Sequence, residues 1–208
     1  MKRILALSGL CLLLGACNVV VTKTPLLTAA DEVGGPPLRP GVWRMEGGDE
    51  PCQVDESRPL IEWPKCAGGV VIKPGVAGYY DRDGDAPVWK TQPFVLAAGA
   101  PRVGQLQAKI SGNVKLESDP FVYFGARQTK NDTEGRVTEM SIWPVQCGPP
   151  PPGDKAESTA HPLPGIEMKP GDPVCTTSSV AVLRAAAKAS EPWVPKTVHA
   201  RWLRDGGP

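Results

Sequence analysis

Side chains able to carry out chemistry are few and far apart in this sequence. Its two histidines are His161 and His199, so neither a three-histidine zinc site nor an H-E-x-x-H helix can form. The chain contains no G-x-S-x-G turn, no S-x-x-K pair and no phosphate-binding G-x-x-x-x-G-K-[ST] loop. We therefore expect a non-catalytic protein without cofactor or metal. An envelope hydrolase that uses paired carboxylates stays open as an alternative, because two acids can come from anywhere in a fold.

One acidic run has the spacing of a calcium loop. Asp81, Asp83 and Asp85 alternate along the chain. An EF-hand, however, places glycine after the third acid and a bidentate glutamate at the twelfth position, where this chain has Gln92. We interpret the run as a tight turn between strands, with Gly84 in the left-handed conformation.

The N-terminus has the pattern of an export signal. Lys2 and Arg3 precede an apolar run, Ile4–Leu14, which is followed by small residues. As a helix this run rises only about 17 Å, short of the ~30 Å hydrocarbon core of a bilayer. We therefore expect residues 1–16 to be a signal peptide that is removed.

The end of that signal, Leu14-Gly15-Ala16-Cys17, resembles the lipobox of bacterial lipoproteins. The resemblance implies that the thiol of Cys17 receives a diacylglyceryl group, that cleavage occurs just before it, and that the new amino group is acylated as well, palmitate being a typical chain. Cys11 leaves with the signal. Asn18 after the modified cysteine implies sorting to the outer membrane, facing the periplasm. The membrane is thus one predicted partner, contacted through the lipid on Cys17.

Four cysteines remain in the mature chain, Cys52, Cys66, Cys147 and Cys175. An even number in an oxidising compartment favours disulfides, and four cysteines allow three connectivities. We predict pairing of Cys52 with Cys66 and of Cys147 with Cys175, because each pair brackets a region rich in turns. A four-cysteine zinc site needs C-x₂₋₄-C spacings, which the sequence lacks.

Composition limits the partners. After loss of residues 1–16 the chain has 192 residues, with 21 basic against 22 acidic side chains and no basic cluster. This balance excludes nucleic acid as an expected partner. The length suits one domain with its own core.

The chain divides at about Gly41. Residues 17–40 are polar and rich in proline and glycine, and we interpret them as the lipidated N-terminus and a flexible tether. Residues 41–208 should form a single β-rich domain. Strand-like runs separated by turn residues lie at 41–47, 68–76, 88–99, 103–111, 121–129, 136–146 and 196–205, and residues 131–135 form the predicted hairpin loop between two of them.

Along Val103–Ile110, apolar Leu106, Ala108 and Ile110 alternate with polar neighbours, which predicts a strand with one face in water. Residues 176–193 are predicted to form the one helix, with caps at 176–179 and a stop at Pro192. Its predicted inner face consists of Val180, Leu183 and Ala187, with Val182 as a further candidate. The predicted fold is mainly β, an antiparallel sandwich or small barrel with one helix near the C-terminus.

Between the last two cysteines, residues 148–174 contain eight prolines in 27 residues. This segment predicts a surface loop pinned by the disulfide, with docking of a partner as an alternative.

Gly41-Val42-Trp43, at the start of the first predicted strand, is similar to the G-x-W motif of lipocalins. That resemblance implies a ligand-carrying barrel in which a basic residue near the C-terminus, Arg201 or Arg204, packs across Trp43. Trp43 followed by Cys52 and Cys66 also resembles small periplasmic barrel inhibitors of proteases.

The predicted function is that of a lipid-anchored envelope protein, a binding or structural module. The alternatives are a lipocalin-like carrier of a small apolar ligand, or a protease inhibitor with an envelope protein as its partner.

Overall fold

The computed structural model describes residues 18–47, 52–82, 84, 86–108, 119–150, 161–169, 172, 174–194 and 197–207. In this part of the chain no helix is long and apolar enough to cross a membrane. Single turns of 3-10 helix lie at Ala29–Glu32, Leu60–Glu62 and Glu191–Trp193. The regular elements are β1 (Val19–Thr22), β2 (Gly41–Glu46), β3 (Gly68–Lys73), β4 (Val76–Asp81), β5 (Val88–Ala97), β6 (Arg102–Gln107), β7 (Phe121–Asn131), β8 (Val137–Pro144), β9 (Val174–Cys175), α1 (Val180–Ser190) and β10 (Val198–Arg204).

Eight strands form a closed antiparallel barrel. From β2 to β8 each strand pairs with the next in sequence, β8 pairs with β10, and β10 pairs with β2. Trp43 of β2 faces Trp202 of β10 across the closing ladder. The prediction of a mainly β fold with one helix near the C-terminus is confirmed, and of the two predicted architectures the barrel is the correct one.

Alternation along the strands separates an interior from an exterior. The rings of Phe94 and Phe124 stack inside the barrel with their centroids 6.2 Å apart. Gly104 faces Phe124 across the β6–β7 ladder, and a Cβ at Gly104 would lie 1.9 Å from that ring. The glycine therefore makes room for the aromatic side chain. The other large buried interior side chains are Trp43, Ile72, Leu96, Met140 and Ile142.

The helix α1 packs on the outside of the barrel, mainly against β6, β7 and β8. Its inner face consists of Leu183, Ala186 and Ala187, all buried. Ser179 caps the helix by accepting a hydrogen bond from the backbone N–H of Val182. On the barrel side, Trp143 donates from its indole nitrogen to the carbonyl of Ala187 at 2.8 Å. The predicted helix is confirmed. Of its predicted inner face, Leu183 and Ala187 are buried, and Val180 and Val182 are half-buried against the same cluster.

The prediction of a flexible tether is wrong for residues 18–40. All four residues of β1 are buried, and β1 pairs antiparallel with β7 and parallel with β9. Three consecutive valines, Val19 to Val21, explain this: β-branched apolar residues suit a covered strand. The globular domain therefore begins no later than Asn18, which is 5% exposed.

After β1 the chain crosses one end of the barrel, which we call the closed end, in residues 28–40. The carbonyl of Asp31 accepts from the backbone N–H of Ala98 at 2.7 Å. Buried Arg102 joins this crossing to the barrel, donating to the carbonyls of Pro36 at 2.6 Å and Leu96 at 2.7 Å. The backbone N–H of Val137 donates to the carbonyl of Pro37 at 2.9 Å. These bonds make the N-terminal segment an integral part of the fold.

The N-terminal segment also covers the face of β6 that was expected to be wet. Gln105 is 4% exposed, and its side-chain oxygen accepts from the backbone N–H groups of Leu26 and Leu27, both at 2.8 Å. The expectation of a solvated face is therefore wrong at Gln105. Residues 109–111 of that predicted strand lie outside the described residues.

Both predicted disulfides are confirmed, Cys52 with Cys66 and Cys147 with Cys175. The described part of the proline-rich segment returns to the domain, because Ile166 is buried beside α1 and Glu167 pairs with Thr176. The hairpin loop at 131–135 is confirmed as well. There the Asp132 carboxylate accepts from the backbone N–H of Glu134 at 3.0 Å, and Gly135 has a φ of 77°.

Candidate ligand cavity

A cavity of about 480 Å³ occupies the half of the barrel opposite the closed end. It lies where β2, β4, β6 and β8 end and where β3, β5, β7 and β10 begin. Its apolar lining side chains come from all eight barrel strands and include Trp43, Met45, Val70, Ile72, Ala77, Phe94, Leu106, Phe124, Met140, Ile142 and Ala200.

The polar lining is concentrated on β4 and β5. Tyr79 lies opposite Lys90 in the β4–β5 ladder, and Gln92 lies opposite Ala77. The carboxylate of Asp81 forms an ion pair with the ammonium group of Lys90. This wall thus carries most of the charged and hydrogen-bonding groups of the cavity, and the other polar lining residues outside it are Lys65, Gln107 and Asp119.

This wall borders an interruption in the sheet. The ladder between β3 and β4 covers only Val71–Lys73 and Val76–Gly78, although both strands continue. On their other sides β3 stays paired with β2 as far as Gly68, and β4 stays paired with β5 as far as Asp81. Residues 68–70 and 79–81 therefore flank an opening in the ladder, which we call the β3–β4 gap.

The cavity reaches through this gap to the outside of the barrel. Its lining includes Leu60 and Trp63, which pack on the outer face against Val42 and Val71. A Cβ at Gly69 would lie 2.6 Å from Leu60 and 3.0 Å from Trp63. A glycine at position 69 lets these outer side chains approach the strand edge closely.

The side chains outside the gap belong to residues 52–67, which we call the outer loop. The Cys52–Cys66 disulfide joins its two ends. Arg82, just after β4, donates to the carbonyls of Leu60 and Ile61, so it connects the loop to the far edge of the gap. The indole nitrogen of Trp63 donates to the carbonyl of Arg58 at 3.1 Å.

Three arginines fix the first part of the outer loop to the barrel. The carboxylate of Glu56 accepts from Arg201 at 2.8 Å and also pairs with Arg44. Arg204 donates to the carbonyls of Glu56 and Arg58. The hydrogen bond from Arg201, reinforced by Arg44, holds the pKa of the Glu56 carboxyl below its ordinary value.

The two C-terminal arginines therefore do not have the role that the lipocalin resemblance implied. Arg201 and Arg204 hold the outer loop, whereas the cation that stacks on an indole is Arg39, 3.5 Å from the ring centroid of Trp202. Trp43 is fully buried and donates from its indole nitrogen to the carbonyl of Arg39 at 2.9 Å.

The other sequence-predicted residues have separate positions. Cys17, the predicted lipidation site, lies outside the described residues, as do Asp83 and Asp85 of the acidic run. His199 is on the outer face of β10, with its Nδ1 atom 3.3 Å from the hydroxyl of Ser141. Within the described ranges no three His, Cys, Asp or Glu side chains are grouped as metal ligands would be.

The sequence did not reveal the cavity residues. Lys90 and Gln92 lie on the inward face of β5, but in sequence they look like the solvated positions of an exposed strand. The sequence does not show that the sheet closes into a barrel, and this closure is what turns Lys90 and Gln92 toward the interior. Alternation of Lys90, Gln92 and Phe94 was the pattern that would have placed them on one face.

Comparison with known proteins adds no relative. No protein-family model matches the chain, no curated protein matches it, and no solved structure matches it.

Proposed function

We propose that this protein is an envelope lipoprotein whose barrel binds a small, largely apolar molecule. The observation that carries the binding proposal is the cavity of about 480 Å³ inside a closed barrel. Ligand sites usually measure about 300–1,000 Å³ and combine an apolar lining with a few polar groups. Apolar side chains from all eight barrel strands and the polar wall of β4 and β5 have that composition.

The binding proposal is tested with N-phenyl-1-naphthylamine, a neutral apolar dye whose fluorescence increases in an apolar environment. The protein is the complete mature chain carrying Cys17→Ser, exported on an ordinary secretory signal so that no acyl chain competes. We expect saturable, one-to-one fluorescence enhancement. Ala200→Phe adds a ring to the cavity wall and should weaken dye binding about tenfold or more.

The matched control is His199→Phe, which adds the same kind of ring on the outer face of the same strand. It should bind the dye like the parent protein. Thermal unfolding of both variants is measured to check that they fold. A folded Ala200→Phe protein with unchanged affinity would overturn the binding proposal.

The lipid anchor is proposed on sequence alone, from the lipobox-like Leu14-Gly15-Ala16-Cys17. In the native chain, Cys17→Ser should leave an unprocessed precursor without added lipid, as measured by intact mass. Cys11→Ser is the control and should mature normally, because Cys11 lies in the signal peptide. Normal processing of the Cys17→Ser chain would exclude the lipoprotein assignment.

A further inference from the structure

We infer that the ligand is a single-chain amphiphile with a negatively charged head group, whose chain lies in the barrel and whose head lies at the β3–β4 gap. This inference rests on the proposed binding function and specifies its ligand. The inference follows from the shape of the cavity, the position of its charged residues and the unpaired edge of β3 at the gap.

The cavity has an apolar end and a charged end. Toward the closed end it is bounded by Trp43, Phe94 and Phe124, without a charged side chain among them. At the gap it is lined by Lys65, Asp81, Arg82 and Lys90. A ligand that matches both ends has an apolar chain and a polar or charged head.

The charges at the gap are predominantly positive. Asp81 is already matched by Lys90 through their ion pair. Arg82 donates to backbone carbonyls of the outer loop, and these neutral acceptors do not offset its positive charge. Lys65 is exposed and forms no ion pair with any residue that the structure describes. Among the described residues at the gap, three cations face one anion, which favours a negatively charged head group. Asp119, the other described acid of the lining, lies before the start of β7, three strands away from β4.

The edge of β3 at the gap supplies a second element. If the β3–β4 ladder continued, Val70, Gly69 and Gly68 would pair with Tyr79, Tyr80 and Asp81. Because it stops, this edge of β3 presents backbone polar groups that the ladder does not use. The cavity reaches this edge, since Gly68, Gly69 and Val70 belong to its lining. A head group at the gap can therefore bond to backbone groups of β3.

The head-group proposal is tested by displacement of N-phenyl-1-naphthylamine from the same mature-length protein. The competitors are dodecanoate, dodecyl phosphate, dodecanol and dodecyltrimethylammonium, all below their micelle concentrations. They share one chain and differ in the head. We expect both anions to displace the dye at least about fivefold more tightly than the cation does, with dodecanol between them.

The residue-level test is Lys65→Glu, which reverses an exposed charge at the gap. Dodecanoate should bind about fivefold more weakly to it, while dodecanol binding stays unchanged. Lys73→Glu is the matched control, because Lys73 is an exposed lysine at the other end of β3, by the β3–β4 turn and away from the gap. It should bind all four competitors like the parent.

The outcomes separate the two proposals. If the dye does not bind, the cavity is not a ligand site and both proposals fail. If the dye binds but anion and cation displace it equally, or if Lys65→Glu and Lys73→Glu behave alike, the head-group proposal is overturned and the binding proposal stands. A preference between the two anions identifies a carboxylate or a phosphate head and supports the proposal in either case.

Discussion

Glu56 is the residue whose ionisation connects the outer loop to the barrel. Its carboxylate is shared between Arg44 of β2 and Arg201 of β10, so a single negative charge joins the loop to two neighbouring strands. Arg201 also reaches Glu46 at 3.1 Å, which fixes its guanidinium between two acids. Through this residue the ionisation state of the outer loop can affect the gap that the loop covers.

This arrangement predicts a pH dependence of stability. The hydrogen bond from Arg201 lowers the pKa of Glu56 below 4.5, its ordinary value. A carboxyl whose pKa is lower in the folded chain stabilises the fold above the unfolded pKa, and this contribution is lost as the pH falls through the folded pKa. Glu56→Gln should therefore lower the free energy of unfolding by about 1 kcal/mol at pH ~7, and by much less at pH ~3.

The measurement is urea denaturation of the parent and the variant at both pH values. Glu62→Gln is the control, since Glu62 is in the same loop and its ion pair with Arg58 is exposed on both sides. That pair should contribute no more than about 0.5 kcal/mol. If Glu56→Gln and Glu62→Gln lower the free energy of unfolding equally at neutral pH, Glu56 does not anchor the loop.

At the scale of the elements, local patterns in the sequence predicted the strands well. The runs at 41–47, 68–76, 88–99, 136–146 and 196–205 each contain a strand of the structure, and the run at 121–129 lies within β7. Hydrophobic alternation, turn residues and a helix cap are local signals, so they can be read without knowledge of the fold. The same holds for the disulfides, whose partners are close in sequence.

The elements that sequence reasoning missed depend on distant partners. β4 was not predicted, because Gly78 interrupts its pattern. The structure shows that the ring of Trp89 on β5 presses against this position, where a Cβ would lie 2.3 Å from it. β1 was not predicted, because its valines are covered by β7, β9 and α1, which come much later in the chain. A short apolar run does not reveal a partner of that kind.

The candidate site was hidden for the same reason. Lys65 lies in the outer loop, Arg82 just after β4, and Lys90 on β5. They line one cavity because the barrel closes and because the β3–β4 ladder ends early. The point at which the β3–β4 ladder ends depends on side-chain packing on both faces of the sheet. The periodicity of a single sequence does not report this packing.

For the whole molecule, the packed N-terminal segment changes how a lipid anchor would act. A flexible tether of about 20 residues would give an r.m.s. reach of ~25 Å from the membrane. The structure shows instead that Asn18 is buried, with its side-chain amide donating to the carbonyl of Gly148 at 3.0 Å. A lipid on Cys17 would therefore be one residue, about 3.8 Å of backbone, from the folded domain. We expect the anchored barrel to be held against the bilayer surface.

The same observation predicts where the domain can be shortened. A chain that starts at Gly41 lacks buried Val19, Val20, Val21 and Leu27. At about 1.5 kcal/mol or more for each large apolar side chain, the loss is at least about 6 kcal/mol, which is comparable to the whole stability of a typical domain. It also removes the segment that crosses the closed end and leaves buried Arg102 without the carbonyl of Pro36. This chain should not fold, whereas a chain starting at Asn18 should.

Both chains are exported on the same ordinary secretory signal so that the disulfides can form, and their thermal unfolding is followed by near-ultraviolet circular dichroism. The chain from Asn18 should unfold cooperatively, and the chain from Gly41 should lack a cooperative transition, because loss of β1 uncovers β7, β9 and the apolar face beneath α1.

A third chain, complete from Asn18 but carrying Arg102→Ala, distinguishes the contribution of the crossing segment from that of β1. It keeps β1 in place and removes the bonds to Pro36 and Leu96, so it should still unfold cooperatively at a lower temperature. If the chain from Gly41 melts like the chain from Asn18, residues 18–40 are dispensable and act as a tether after all.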